Sequence, residues 1–239
     1  MVEKTYLSDL ERKERERLME LLAKCPIPND QVLSNIGLFL SSKDLARILF
    51  MDHLYKQIIE VPGVVMEFGT RWGQNTTLFT SLRGIYEPFN RHRKVVCFDT
   101  FSGFPSISKK DGGSDLMRVG NTSTTKNYEQ YLTDILQCHD NLSPINHIQK
   151  FEVVKGDASK EVKNYLRRNE ETIIAMAYFD LDLYKPTKKC LRAIKKRLVR
   201  GSIVAFDELN DPDSPGETVA LREVFGLNNV KLKRYQYTS

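Results

Sequence analysis

The stretch VVMEFGTRWGQNT, Val64 to Thr76, runs from an unbroken apolar segment into a turn bracketed by Gly69 and Gly73. Five residues of this composition read as a strand buried on both faces, and the segment after Gly73 reads as the opening of a helix. The turn lacks the G-x-G-x-x-G spacing of a dinucleotide site, because Arg71 stands where the second glycine would let backbone approach a pyrophosphate. It lacks a G-K-[ST] phosphate loop as well. What remains is Glu67-x-Gly69-x-x-x-Gly73, a tight turn with an acid at its mouth.

Outward from this stretch the pattern repeats. Short β-rich runs occur at 64–68, 94–99, 151–154, 174–179 and 202–206. Helical patterns fill the gaps, at 76–85, 128–137, 159–168, 186–199 and 217–225. The alternation predicts an α/β fold, a Rossmann-like, mostly parallel sheet with helices on both faces. Residues 1–60 read as an N-terminal helical region, with capping-box spacings at Ser8/Glu11 and Ser41/Asp44 and a stop at Val61-Pro62-Gly63. Residues 61–239 form the second expected region. Ser106 to Thr125 is a long polar, glycine-rich loop of the kind that serves as a lid or binding loop, or is simply mobile.

The whole chain agrees with this reading. Its 239 residues are 41% hydrophobic and 28% charged, which supports a buried core. No apolar run approaches the roughly 20 residues of a membrane span, and the charged N-terminus carries no secretory signal. Cys25, Cys97, Cys138 and Cys190 are widely spaced, against both a zinc ribbon and a disulfide framework, so a reducing cytoplasm is the expected compartment. The net charge of +5 gathers in Lys188–Gly201, read as an amphipathic helix whose basic face is wet or meets an anionic partner. Without interleaved aromatics, nucleic acid is not the expected partner.

In a parallel sheet ligands bind beyond the carboxyl ends of the strands. Each expected strand end carries polar residues: EFGTRWG, FDTFSGFP, KGDAS, FDLDLY and FDEL. Asp99 is placed to accept the hydroxyls of a ribose, and Gly156-Asp157 to meet an adenine edge. An adenosine site with an acid-lined mouth and no phosphate cradle fits S-adenosylmethionine. Asp180, Asp182, Asp207 and Glu208 end neighbouring strands, whose spacing of about 4.8 Å lets their carboxylates converge. Either a hard divalent cation such as Mg²⁺ relieves their repulsion, or they act separately as a cofactor ligand and as caps for the following helices. None of His53, His92, His139 and His147 is positioned by the sequence.

Together VPGVVMEFGTRWGQNT, CFDTFSGFP, FDLDLYKPT and IVAFDEL…PGE resemble the macrocin O-methyltransferase (TylF/MycF) family, over residues 61–217. The resemblance implies a metal-dependent class I methyltransferase acting on a sugar hydroxyl, with the N-terminal helices covering the acceptor. It implies cofactor contacts at Glu67, Gly69, Asp99 and Asp157. With Thr70, Gly73, Asn75, Thr76, Thr100, Ser102, Ala158 and Asp180 these make up the expected cofactor set. It also implies a metal held by Asp180, Asp207 and Glu208, with Asp180 or Asp182 as proton acceptor. The Asp207-Glu208 pair departs from the family's Asp-Asp. The expectation is thus transfer of methyl from S-adenosylmethionine to a glycoside, with Mg²⁺, in a protein that forms homo-oligomers. The competing readings are another acceptor, nucleic acid included, and a non-catalytic binding module.

Overall fold

The computed structural model describes residues 8–114 and 117–236; residues 115 and 116 of the long loop lie outside them. Two compact units emerge, one of residues up to Phe50 together with the C-terminal residues from Tyr235, the other Met51–Arg234.

The first unit contains α1 (Asp9–Ala23), a single turn α2 (Asn29–Val32), a 3₁₀ segment Leu33–Phe39, and most of α3 (Ser42–Lys56). The capping box at α1 is formed: Glu11 N–H donates to Ser8 Oγ at 3.2 Å and Ser8 N–H to Glu11 Oε2 at 2.7 Å. Ser41 and Asp44 repeat it at α3. Phe50 stacks on Tyr235 with ring centroids 5.1 Å apart.

The second unit is a five-stranded sheet of β1 (Val64–Phe68), β2 (Val95–Asp99), β3 (Phe151–Lys155), β4 (Ile174–Phe179) and β5 (Leu198–Phe206). The order is β3-β2-β1-β4-β5, and every pairing is parallel. All five residues of β1 and all six of β4 are buried, as two-sided burial in the middle of the sheet requires. Val64, Met66, Phe68, Val96 and Phe98 pack against α6 (Ala158–Arg168), α7 (Tyr184–Ile194) and α8 (Gly216–Val224). Cys97 and Phe151 on the alternate positions meet Leu132 and Leu136 of α5 (Tyr128–Asn141), beside α4 (Gln74–Tyr86).

One expectation fails. The basic segment from Lys188 is helical only to Ile194; after a 3₁₀ turn at 195–197, Leu198 enters β5. The apolar spacing of Leu191, Ile194 and Leu198 suits a helix, but pairing with the sheet wins at Leu198, which registers with Ile174. The next paired positions are Met176 and Ile203, so β5 carries an extended bulge. Ser202 Oγ stabilises it, accepting Val199 N–H at 2.8 Å and donating to Ile174 O at 2.7 Å. The cations here serve local contacts: Lys188 pairs with Glu223, Lys195 donates to Val224 O at 2.8 Å, and Arg197 donates to Glu170 O.

Candidate active site

The strand order reverses between β1 and β4, and a crevice at such a switch point is where open α/β sheets take ligands. Register makes the rim level. Phe68 is opposite Phe98 on one side and Phe179 on the other, and Phe179 is opposite Phe206. Their rings stack in a row across four strands, with centroids 5.1, 4.7 and 5.2 Å apart. The residue after each phenylalanine, namely Gly69, Asp99, Asp180 and Asp207, therefore stands on one line above an aromatic floor.

Gly69 has φ of 88°, and a Cβ there would overlap the Asp180 carbonyl. The close approach of β1 and β4 at the crevice thus excludes any side chain. Gly73 (φ 79°) opens α4 without a side-chain cap. Asn75 and Thr76 in its first turn are buried, as is Thr70. Glu67 is 1% exposed, accepts the Thr76 hydroxyl through Oε2 and keeps its Oε1 buried without a hydrogen-bond partner. Burial pushes its carboxyl up to about 7, although bonds from Thr76 and Asn75 oppose the shift.

Asp99 organises the two loops flanking the crevice. Its Oδ2 accepts Arg71 N–H at 2.7 Å and its Oδ1 accepts Phe101 N–H at 2.6 Å. Both donors have positive φ, 48° at Arg71 and 55° at Phe101, so the carboxylate holds two strained turns. Thr100 Oγ1 donates to Gly103 O at 2.9 Å and accepts Ser102 N–H at 3.2 Å. An open cavity of about 520 Å³ lies beside them, bounded by Thr100–Ser102, Ser123–Asn127, Glu129 and Lys155. Asp157 caps α6, its Oδ1 accepting Ser159 N–H at 2.9 Å and Ser159 Oγ at 2.7 Å; Ala158 is buried behind it.

The acids beyond β4 and β5 crowd together. Asp180 is raised well above the usual carboxylate range by burial in the crevice wall and then by Asp207, Asp182, Glu217 and Glu67. Asp182 is pushed up to about 7 by burial, Glu208 and Asp207, against the pull of Arg71. Glu208 is raised by burial and then by Asp207 and Asp211, and Glu217 well above the usual range by burial and then by Asp182, Asp207 and Glu208. One oxygen each of Glu208 and Glu217 is buried without a hydrogen-bond partner. Tyr178 donates its hydroxyl to Asp207 Oδ1 at 2.6 Å. Hard oxygen donors that repel one another and leave buried carboxylate oxygens unsatisfied fit a divalent cation. As the side chains stand, no three His, Cys, Asp or Glu among the described residues are grouped to hold a metal.

Two residues of this neighbourhood escaped the sequence reading. Glu217, at the second position of α8, carries no expected role; it only marks the helix that the strand-end acids were expected to cap. Asp111, inside the long loop, was assigned nothing. Acid following Pro-Gly at a helix start is a signal for the first; nothing local marks the second.

A 3-2-1-4-5 parallel sheet with a glycine turn at its switch point and an acid ending β2 is the architecture of the class I S-adenosylmethionine-dependent methyltransferases. Neither protein-family models nor curated proteins give a match to the chain. Among solved structures, the chain is 42% identical to the calicheamicin methyltransferase CalS11, covering 97% of this chain and 91% of that one with a TM-score of 0.95. An apo structure of CalS11, described as a TDP-rhamnose 3′-O-methyltransferase of calicheamicin biosynthesis, gives 40% identity, 97% and 92% coverage, and a TM-score of 0.86. The O-methyltransferase NovP, at 16% identity, 76% and 73% coverage and a TM-score of 0.53, shares the fold. The chain belongs to the family of CalS11 and is a S-adenosylmethionine-dependent O-methyltransferase. The reading as a non-catalytic module gives way to this. No helix among the described residues is long and apolar enough to cross a membrane.

Proposed function

We propose that the protein methylates a hydroxyl of a sugar, and that the sugar is carried on a nucleotide, as in the TDP-rhamnose acted on by CalS11. The observation that carries this reading is the row of Asp180, Asp182, Asp207 and Glu208 on the rim beside the Gly69 turn. In the proposal the cofactor's adenosine lies along Gly69, Asp99, Ser102 and Asp157, which puts its methyl group near Asp180. Asp180 or Asp182 accepts the proton of the attacking hydroxyl at a carboxylate oxygen. A sulfonium is already a strong leaving group, so orientation and deprotonation are what the side chains must provide. Asp180, Asp207 and Glu208 would hold Mg²⁺, which would supply a Lewis acid that lowers the pKa of the acceptor hydroxyl.

The resemblance to the macrocin O-methyltransferases supports the same acceptor class. The apolar residues Leu10 (68% exposed) and Met19 (70%) of α1 support self-association, and four free cysteines support a reducing cytoplasm. The test is methyl transfer to TDP-rhamnose from S-adenosylmethionine, followed by mass spectrometry. Addition of EDTA should abolish turnover and Mg²⁺ restore it, while cofactor affinity stays unchanged. Turnover indifferent to EDTA removes the metal; methylation of nitrogen or of nucleic acid removes the sugar.

A further inference from the structure

The turn carrying Asp180 and Asp182 is held in an uncommon shape. Asp182 has φ of 58°, and Leu183 N–H donates to Leu181 O at 2.6 Å, closing a three-residue turn about Asp182. A side-chain-bearing residue in this conformation persists only where its surroundings over-determine it. Here three constraints do so. Leu181 N–H donates to Glu217 Oε1 at 3.0 Å. A Cβ on Gly216 would come within 2.5 Å of the Asp182 carbonyl, so α8 presses on the turn. Tyr184 N–H donates to Asp111 Oδ1 at 2.6 Å.

The third constraint comes from far away in sequence. Helix α7 begins at Tyr184, and its own N-cap residue, Leu183, has no side chain able to cap it. A serine or aspartate at position 183 would satisfy the helix locally; instead the acceptor is delivered across 73 residues. Asp111 is 1% exposed, and its second oxygen accepts Ser108 N–H. Gly112, φ 90°, lies so close to the Asp213 carbonyl that a Cβ would overlap it. Lys110 pairs with Glu223 of α8 at 2.7 Å. The loop after β2 is thereby fastened to the turn after β4 and to the segment after β5.

We propose that Asp111 is a positioning residue for methyl transfer, docking the loop after β2 onto the Leu181–Tyr184 turn and so fixing the direction of the Asp182 carboxylate. The inference rests on the reading of Asp180 and Asp182 as the reacting acids. Removal of Asp111 leaves the Gly69 turn and Asp99 in place, so cofactor binding is spared while the acids are misdirected. A displacement near 1 Å of a reacting group costs on the order of 100-fold in rate.

The test compares the full-length protein with Asp111→Ala and Asp111→Asn. Asn keeps an oxygen for Tyr184 N–H but loses the acceptor for Ser108 N–H. With TDP-rhamnose as acceptor, kcat should fall roughly 10- to 100-fold in Ala and about three- to tenfold in Asn. The Kd for S-adenosylmethionine should stay within about twofold in both. Hydrogen exchange at Leu183 and Tyr184, read without any acceptor, should accelerate strongly in Ala and less in Asn, whose bond from Tyr184 N–H is kept but no longer anchored at Ser108. If Asp111→Ala does not fold, Asp111→Asn decides. A kcat within twofold of the unmodified protein in Asn, unchanged exchange at Tyr184, or a loss of cofactor binding in step with kcat overturns the proposal. Absence of turnover by the unmodified protein counts against TDP-rhamnose as acceptor, and the exchange measurement then decides on Asp111 alone.

Discussion

Replacement of Asp99 tests the cofactor site at its most heavily used atom pair. Each carboxylate oxygen already accepts one backbone N–H, at 2.7 Å from Arg71 and 2.6 Å from Phe101. Each keeps further acceptor capacity toward the crevice for a ribose hydroxyl. A hydrogen bond to a charged group contributes about 1.5–3 kcal/mol, so Asp99→Ala should weaken S-adenosylmethionine binding by roughly 10- to 150-fold. Asp99→Asn should do little better. Whichever way its amide turns, the NH₂ group faces either Arg71 N–H or Phe101 N–H, and one of the two strained turns is released. Calorimetry with S-adenosylhomocysteine measures the loss. Repeating the titration with an analogue lacking both ribose hydroxyls separates the two effects, because a direct ribose contact shrinks the difference between variant and parent to under about threefold. An Asp99→Ala protein binding within threefold of the parent refutes the ribose assignment. An equal loss on both ligands shows that Asp99 only shapes the loops.

Two further outcomes follow from buried acids. Glu67 is held near 7 against an ordinary value of 4.5, so the folded chain keeps a proton that the unfolded chain releases. Its contribution is present below about 4.5 and lost as pH rises through about 7, a span worth at most about 3 kcal/mol. Glu67→Gln should therefore flatten the decline of Tm between pH 5 and 7.5, and parallel pH profiles would sink the assignment. Asp140 is buried between Lys150 Nζ at 2.9 Å and Arg83 at 3.5 Å, and also accepts Lys150 N–H at 2.9 Å. Asp140→Ala leaves both cations buried without it and should cost about 3–5 kcal/mol in urea unfolding, with cofactor affinity of the folded protein unchanged; a cost below 1 kcal/mol contradicts this.

What the sequence revealed depended on how local the cause was. The central strands were legible because two-sided burial leaves an unmistakable apolar run, and Val64–Phe68 and Ile174–Phe179 begin and end where expected. The rim acids were legible for a related reason: Asp180 and Asp207 each follow the phenylalanine that closes a strand, and Asp99 follows Phe98 as the last residue of its own. Leu198 was misplaced because its spacing from Leu191 and Ile194 satisfies a helix, and only pairing with Ile174 decides otherwise. Asp111 was invisible because its partner, Tyr184 N–H, is distant in sequence and leaves no periodic trace. Asp157 was read as a cofactor ligand, and the structure adds a capping bond to α6 through its Oδ1.

The pairing of β1 with β4 has a consequence for how the enzyme comes into being. Val64 registers with Ile174, 174 − 64 = 110 residues later, and the Gly69 turn is completed only by the backbone of Asp180. The contact is thus non-local, and contacts of this kind form late and slow folding. At about 5–20 residues per second, a ribosome takes very roughly 5–20 s to deliver β4 after β1. As that interval passes β2 becomes available to pair with β1, and then β3 with β2, but the other edge of β1 stays bare throughout. A nascent chain cannot be rescued by its cofactor then, since the crevice does not yet exist. Chaperone protection of the β1 edge, rather than S-adenosylmethionine in the medium, is what should raise the soluble yield of this protein.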